Sequence, residues 1–453
     1  MASRVIFVTL ALLILGACAA CAGLLPLIWD GGYQLSVTLI NQEPYYYLTR
    51  FHSWLLWWPT VWVSRITENA TALSFVYGLP FLLAPAVSMA VSWWYVRAKA
   101  PGLIVWAACG VATSLPGQAF VINDSIFQQT LAWPVILGAM VRLSPAQSFA
   151  WVALAAFQFS HQIGLVILFF AASAAWLSGS SRGKRAAASF LFILAVLKTI
   201  WISVPAWAGR FFDSYAAQEA SFSSAMWAFL TGVVGLPLAG LALLWLATWK
   251  ALRREKANEP MPAWWWKATV VGLSLWALWA CVPNMWASSI NYRRWVVPLA
   301  APFVLMAILD ARRAPASFSA WRQRLTLGIA STFAVVMSVQ AIAFRIQLHR
   351  LQTAVVGSET PIVSATELPS LKTYQLDHWG ITTTLMVLQG RVPEHYLAYD
   401  VDSLAAISNP PHRVSLWAPH PIAPEPGPAG WFDHRPLLEK IRAAAPISPA
   451  DAR

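Results

Sequence analysis

The stretch that decides the fold is Arg4–Trp29, RVIFVTLALLILGACAACAGLLPLIW, which is followed directly by Asp30. Its only charged residue is Arg4, and as a helix it is long enough to cross the ~30 Å hydrocarbon core of a bilayer. Apolar runs of this kind recur as far as about residue 345. Because the runs are continuous and do not alternate as barrel strands do, the sequence predicts a polytopic α-helical membrane protein.

The composition excludes the common soluble classes. Of the 453 residues, 58% are hydrophobic and 11% are charged, whereas soluble domains have about 25% charged residues. A soluble enzyme, a disordered chain and a disulfide-rich secreted domain are therefore excluded. The four cysteines all fall inside apolar runs, so no disulfide is expected. The net charge is +12, and the Lys and Arg residues that carry it lie in short loops between the apolar runs. This position indicates contact with membrane lipids and no nucleic-acid partner.

The apolar runs predict an all-α polytopic fold with about 11 transmembrane helices, interfacial helices and a small C-terminal extramembrane domain. The run 145–178 is too long for one span and is divided at Ser160-His161-Gln162. We therefore expect a transmembrane domain over 1–345 and a Pro-rich outer-face region over 346–453. The spans are predicted at about 4–29, 72–96, 101–116, 126–141, two within 145–178, 186–205, 227–249, 264–282, 295–309 and 325–344.

The distribution of Lys and Arg predicts the orientation. With the N-terminus inside, the inner loops contain 16 basic residues and the outer loops before the tail contain five. This asymmetry agrees with the positive-inside rule. We expect an integral protein of a bacterial inner (plasma) membrane, with a cytoplasmic N-terminus and an external C-terminus. Most acidic residues before the tail fall in outer loops, so an active surface would face outward.

Asp30 is the first candidate for catalysis. It ends the first span and is followed by Gly31 and Gly32, which let the backbone turn sharply or approach a ligand closely. A carboxylate at the membrane surface could act as a general base for a hydroxyl. The alternative is that Asp30 only stops the helix and hydrates its end.

The outer loop 30–70 contains two predicted interfacial helices. Residues 33–41 have the spacing of an amphipathic helix lying on the surface, which Pro44 then ends. The Trp-rich stretch Leu55–Val63 is too short to span a bilayer and predicts a second such helix. Between them, Tyr45-Tyr46-Tyr47 and Arg50 suit a sugar face or a phosphate, or simply anchoring at the headgroups.

Three isolated polar residues are further candidates for substrate binding. Asp124 lies in an outer loop, one helical turn before Gln128 and Gln129. His161 lies in the predicted outer turn between two spans. Lys198 lies deep in an apolar span, where it either reaches outward or pairs with a buried acid or phosphate. Ordinary loop hydration is the alternative for the first two.

Tyr292-Arg293-Arg294-Trp295 is the second strong signal. The two arginines lie at the predicted outer end of a span, against the positive-inside trend. Arginine binds phosphate through paired hydrogen bonds, so Tyr292, Arg293 and Arg294 predict a lipid-phosphate site. Contact with bulk headgroups or with acids of the tail is the alternative.

Motifs for metal and nucleotide binding are absent from the sequence. There is no HExxH, no paired CxxC, no Walker A motif and no GxGxxG after a strand. The sequence therefore requires no cofactor, although whether a divalent metal takes part is left open.

In outline the chain resembles the GT-C superfamily of membrane glycosyltransferases. The resemblance depends on a cytoplasmic N-terminus, many spans, Asp30 at the start of the first outer loop, interfacial helices over Tyr33–Arg65 and a C-terminal outer region. It implies transfer of a sugar from a polyprenyl-phosphate carrier, with Asp30 as the loop-one acid and Arg293 and Arg294 on the carrier phosphate. Members often have paired acids in loop one, whereas Gly31-Gly32 follow Asp30 here.

The expected function is glycosyl transfer from a lipid-linked sugar donor on the outer face of the membrane. Two alternatives remain open. One is a transporter or flippase of a lipid-linked or amphipathic solute, and the other is a polymerase or ligase of lipid-linked glycans. The oligomeric state is not predicted.

Overall fold

The computed structural model describes most of the chain between residues 2 and 440. The backbone outside this description comprises residues 1, 29, 45–50, 121–123, 162, 180–181, 203–234, 258, 260, 282–285, 313–316, 365–367, 369–379, 399–430, 434–435, 438 and 441–453. The side chains of 30, 51–53, 116–120, 124–125, 201–202, 235–238, 256, 263, 276–281, 286–298 and 398 also lie outside it.

Most of the described chain is helical. The helices are α1 Ala2–Ala22, α2 Asp30–Asn41, α3 Phe51–Ser64, α4 Ala70–Leu82, α5 Ala84–Val96, α6 Ile104–Phe120, α7 Asp124–Met140, α8 Pro145–Phe157, α9 Gly164–Leu177, α10 Arg182–Ile202, α11 Gly235–Ala257, α12 Ala263–Cys281, α13 Trp286–Ala311, α14 Ala320–Val356 and α15 Ile381–Gln389. Short 3₁₀ turns cover Leu25–Leu27, Pro101–Leu103 and Gln158–Ser160, and two strands are β1 Ile362–Ser364 and β2 Tyr396–Ala398.

The predicted helical class is confirmed, and the described residues of the predicted spans fall largely in helices. Within the described residues, three segments are long and apolar enough to cross a membrane: Ala2–Ala22, Ala70–Val96 and Ala320–Val356. Shorter apolar helices cover Pro101–Leu115, Ile126–Met140, Gly164–Leu177 and Leu299–Ala311. The total of eleven spans therefore stays a prediction.

Local sequence explains where the helices begin and break. Ser144 caps α8 by accepting a hydrogen bond from the Gln147 backbone, and the Gln147 side chain accepts one from the Ser144 backbone. Pro145 occupies the first turn, where its missing N–H costs nothing. Pro80 lies inside α4 and Pro85 lies at the start of α5, which accounts for the interruption at Leu83 between these helices.

The chain divides into two compact units. The first comprises residues 1–17, 81–119 and 124–337, and the second comprises 18–80, 120–123 and 338–453. The tail is thus grouped with the region that contains the first outer loop.

In the first unit, hydrogen bonds show how α7, α8 and their neighbours run. Trp151 of α8 donates to the carbonyl of Val135, near the end of α7, over 2.8 Å. Gln128, near the start of α7, donates to the carbonyl of Phe157 at the end of α8 over 3.2 Å. These two helices are therefore antiparallel, and the break between α8 and α9 lies beside the start of α7.

At the other end of the first unit, away from the start of α7, segments predicted to be cytoplasmic contact one another. Lys99, after α5, donates to the carbonyl of Arg142, after α7. Arg312, after α13, donates to the carbonyl of Leu177 at the end of α9. Each of these two hydrogen bonds joins two segments that the predicted topology places on the same side of the membrane. Which side that is stays a prediction.

In the second unit, the tail packs on the segment predicted as the first outer loop. Strands β1 and β2 pair in parallel, with Ile362 opposite Tyr396, and α15 connects them. Helix α15 packs against α2. Further along, the indole of Trp431 donates to the carbonyl of Ser64 at the end of α3 over 3.1 Å.

The structure moves one predicted boundary. The tail was expected to start near Arg345, but α14 continues to Val356. The helix therefore extends beyond the apolar run.

Candidate functional site

The backbone around Asp30 is unusual and well packed. Leu24 adopts the left-handed conformation (φ 65°), and a 3₁₀ turn over Leu25–Leu27 then leads to Asp30, the first residue of α2. A bulky residue with positive φ costs on the order of 1–3 kcal/mol and persists only where its surroundings enforce it. Here the enforcing contacts include the burial of the Leu24 side chain.

Helix α2 is confirmed as a helix, but its predicted position on the surface is wrong. Its residues from Gln34 to Leu39 are all buried. The polar members have local partners: Ser36 donates to the carbonyl of Tyr33 over 2.7 Å, and Thr38 donates to that of Gln34 over 2.8 Å. Tyr77 of α4 donates to the Gln34 side chain over 3.1 Å. Polar residues with satisfied hydrogen bonds can be buried at little cost, so the amphipathic pattern did not mark an exposed face.

At Gly32, helix α2 packs closely against the tail. A Cβ at this position would lie 2.2 Å from the Thr384 hydroxyl oxygen and 2.6 Å from the Leu27 carbonyl oxygen. The same hydroxyl donates to the Leu27 carbonyl over 2.8 Å. Two residues after Asp30, only glycine allows α15 to pack this closely, so the tail fixes the backbone on both sides of the acid.

The predicted second interfacial helix is present as α3. Trp57 is fully buried and stacks on Tyr77, with ring centroids 5.0 Å apart. Trp54, Leu55 and Trp62 are exposed on the rest of the helix. An apolar surface of this kind suits the membrane interface predicted for it.

A second polar site surrounds Lys198 in the first unit. Its side chain is only 2% exposed. The ammonium donates to the carbonyl of Phe159 in the 3₁₀ turn and lies 5.5 Å from the centroid of the Phe159 ring. Among the described residues no carboxylate lies within salt-bridge distance of it. A buried cation of this kind usually has an anionic partner or a function.

Glutamines and a serine accompany the lysine. Gln128 of α7 donates to the Ser160 hydroxyl and to the Phe157 carbonyl. Gln158 is fully buried, and neither its side-chain nitrogen nor its oxygen has a hydrogen-bond partner in the described part of the chain. Sequence reasoning missed Gln158 and Ser160, although both are polar residues inside an otherwise apolar run.

The structure brings some predicted site residues together and leaves others undecided. His161 directly follows the turn whose Phe159 carbonyl accepts from Lys198. Its Nδ1 accepts a hydrogen bond from the Ile163 backbone over 3.2 Å. Asp124 begins α7, one turn before Gln128, but its side chain lies outside the described residues, as does that of Asp30. Arg50 lies outside them entirely.

The arginine pair occupies a different place on its helix from the one expected. Helix α13 begins at Trp286, so Tyr292, Arg293 and Arg294 lie about two turns inside it and not at its end. Their side chains are outside the description.

Sequence reasoning also missed a buried ion-pair network at the end of the first unit predicted to be cytoplasmic. Arg322 is 1% exposed and binds both Asp310 and Glu255, with shortest N–O distances of 2.5 Å to each. The Trp106 indole also donates to Asp310 over 2.9 Å. Because the charges are paired, this network acts as a structural connection between α6, α11, α13 and α14.

Over the residues that the structure describes, no three His, Cys, Asp or Glu side chains are grouped so as to hold a metal ion. No family model, curated protein or solved structure matches the chain.

Proposed function

We propose that the protein is a membrane glycosyltransferase that moves a sugar from a polyprenyl-phosphate carrier to an acceptor hydroxyl on the outer face of the membrane. The observation that supports the proposal most is the backbone setting of Asp30. The acid follows a strained turn at Leu24 and precedes Gly32, which α15 holds in close contact. A catalytic group needs such a rigid support to be held in a productive geometry.

The proposed reaction is a single displacement at the anomeric carbon. The acceptor oxygen forms a bond to this carbon while the bond from the carbon to the carrier phosphate oxygen breaks, and its electron pair stays on the phosphate. Asp30 accepts the proton of the acceptor hydroxyl as general base. Arg293 and Arg294 stabilise the negative charge that develops on the leaving phosphate.

A transporter or flippase of a lipid-linked solute is the second candidate. The observation in its favour is Lys198, a buried cation beside the 3₁₀ turn over Gln158–Ser160 that follows α8. Buried ionisable groups and interrupted helices are typical of transport sites. The two candidates differ in their need for Asp30, because only the transferase requires a general base.

A deletion strain provides the test in cells. Lipid-linked sugars are extracted and measured by mass spectrometry in wild-type cells, in the deletion strain, and in the deletion strain expressing either the wild-type protein or Asp30→Asn. For a transferase, the unused lipid-linked donor accumulates in the deletion strain and in the Asp30→Asn strain alike. For a transporter, Asp30→Asn restores the wild-type profile. If no glycan and no lipid-linked intermediate changes in any strain, the proposal is contradicted.

A further inference from the structure

Gln128, Gln158, Ser160 and Lys198 come together at the turn after α8, and we call these four residues the amide–lysine cluster. They converge from α7, from the turn after α8 and from α10. Gln128 hydrogen-bonds to Ser160, and Lys198 to the carbonyl of Phe159, the residue between Gln158 and Ser160. The cluster lies at the end of the first unit that is predicted to face outward.

The cluster has more hydrogen-bonding capacity than its own members use. Both side-chain polar atoms of Gln158 and the side-chain oxygen of Gln128 are buried without a hydrogen-bond partner among the described residues. Buried polar groups are almost always paired in folded proteins, so each unpaired one requires an explanation. Apolar side chains of similar volume would fill the same space without this cost.

The chemistry of the unused groups defines what would pair with them. The Lys198 ammonium and the Gln158 amide nitrogen are donors that suit the oxygens of an anion. The two glutamine oxygens are acceptors, which a bare anion cannot satisfy and which hydroxyl groups can. A ligand that satisfies the whole cluster therefore has both an anionic group and hydroxyls.

We propose that the amide–lysine cluster binds a phosphorylated sugar. Lys198 and the amide nitrogen of Gln158 donate to the phosphate, and the side-chain oxygens of Gln128 and Gln158 accept from the sugar hydroxyls. The cluster is closed in this structure. Binding moves the Lys198 ammonium from the Phe159 carbonyl to the ligand and turns the Gln158 side chain outward. The backbone of the turn stays in place, because it is tightly packed: a Cβ at Gly164 would lie 1.7 Å from the Gln158 carbonyl oxygen.

This inference names a substrate class that fits the proposed glycosyl transfer, but its evidence is independent of Asp30. The phosphorylated sugar could be attached to a lipid carrier or free in solution, and the cluster recognises the part that both share. The experiment separates the two sources by the probes that it uses.

The test measures binding to the purified full-length protein in nanodiscs. The probes are glucose 1-phosphate, a polyprenyl-phosphoryl-glucose incorporated in the nanodisc lipid, and inorganic phosphate. Binding is followed by the change in tryptophan fluorescence and by the shift in apparent melting temperature. The variants are Lys198→Met and Gln158→Leu, with Lys184→Met as the matched control. Lys184 lies on the same helix and also donates to a backbone carbonyl, that of Ser178, but at the other end of the helix.

The wild-type protein is expected to bind at least one sugar phosphate more tightly than inorganic phosphate. Lys198→Met and Gln158→Leu each weaken that binding by roughly ten- to a hundredfold, the range for a lost hydrogen bond to a charged group. Lys184→Met binds like the wild type. Because Gln158 has no partner to lose, Gln158→Leu keeps or raises the melting temperature in the absence of ligand. Binding of the soluble probe identifies a free sugar phosphate, and binding of the lipid-linked probe alone identifies the carrier.

Three results would overturn the inference: no binding of either sugar phosphate, unchanged binding in both cluster variants, or a Gln158→Leu protein that unfolds well below the wild type. The Asp30→Asn variant separates this inference from the proposed function. If Asp30→Asn cells show a normal glycan profile while the purified protein binds sugar phosphate through the cluster, only the transferase proposal fails. If Asp30→Asn abolishes transfer while the cluster variants bind normally, only this inference fails.

Discussion

Arg322 and Asp310 form a two-point ion pair inside the first unit. The Nη1–Oδ2 distance is 2.5 Å and the Nη2–Oδ1 distance is 3.1 Å, and both side chains are almost completely buried. Glu255 occupies the remaining side of the guanidinium, with 25% of its side chain exposed. The arrangement joins the consecutive helices α13 and α14 to α11, whose Glu255 lies 67 residues before Arg322.

Breaking this pair should destabilise the protein. Asp310→Asn leaves the buried Arg322 with one charged partner, and the loss of a buried partner costs about 3–5 kcal/mol. The measurement is the apparent melting temperature in detergent, followed by the loss of monodisperse protein on size-exclusion chromatography. Glu259→Gln is the matched control, because its pair with Arg254 is exposed and 3.7 Å apart. Equal melting temperatures for both variants would contradict the structural role of Arg322.

Gly32→Ala should disrupt the packing of α15 on α2. The added methyl group would overlap the Thr384 hydroxyl and the Leu27 carbonyl, so we expect a cost of about 1–3 kcal/mol from overpacking. Gly183→Ala is the control, since a Cβ there meets nothing within 4 Å and alanine favours the helix. Limited proteolysis of the tail compares the two variants. If the tail of the Gly32→Ala protein resists protease as well as that of the wild type does, the close packing of Thr384 against Gly32 is contradicted.

Thr384→Val removes the hydroxyl that donates to the Leu27 carbonyl and keeps the side-chain shape. We expect a loss of about 1 kcal/mol in stability and a larger loss of transfer activity, because the turn before Asp30 becomes less fixed. Thr384→Ser restores the hydroxyl and should restore activity. The control is Thr353→Val, whose hydroxyl makes an exposed hydrogen bond to the His349 carbonyl. Activity that is equally low in the serine variant would show that the hydroxyl does not position Asp30.

Arg293→Lys and Arg294→Lys keep the charge but lose the paired hydrogen bonds of a guanidinium. If these residues bind the carrier phosphate, at least one substitution should weaken carrier binding by roughly ten- to a hundredfold while the melting temperature stays nearly constant. Binding of a polyprenyl phosphate to the purified variants is the measurement. Full activity in the double lysine variant would assign the arginines to simple headgroup contact.

The sequence was sufficient to predict the helical class, because long apolar runs are a local pattern. The break at Ser160-His161 is an example, since the apolar run was too long for one span and the structure places a 3₁₀ turn there. Asp30 was identified for the same reason, as the first charge after an apolar helix.

Features that depend on contacts between distant segments were not predictable in this way. The burial of Gln34 depends on Tyr77, and the role of Gly32 depends on Thr384. Arg322 is one of the 16 basic residues counted in the predicted inner loops, and its partner Glu255 lies 67 residues away. Local spacing has no information about which remote side chain satisfies a buried polar group.

The most direct test of the central claim is the turnover of Asp30→Asn in proteoliposomes that contain a polyprenyl-phosphate sugar and an acceptor. Glu43→Gln is the control, because Glu43 is an exposed acid of the same outer segment. The account predicts that Asp30→Asn lowers turnover by about 10²–10⁴-fold while donor binding and melting temperature stay unchanged, and that Glu43→Gln is as active as the wild type. Turnover by Asp30→Asn at the wild-type rate would contradict the assignment of Asp30 as general base and, with it, the proposed mechanism.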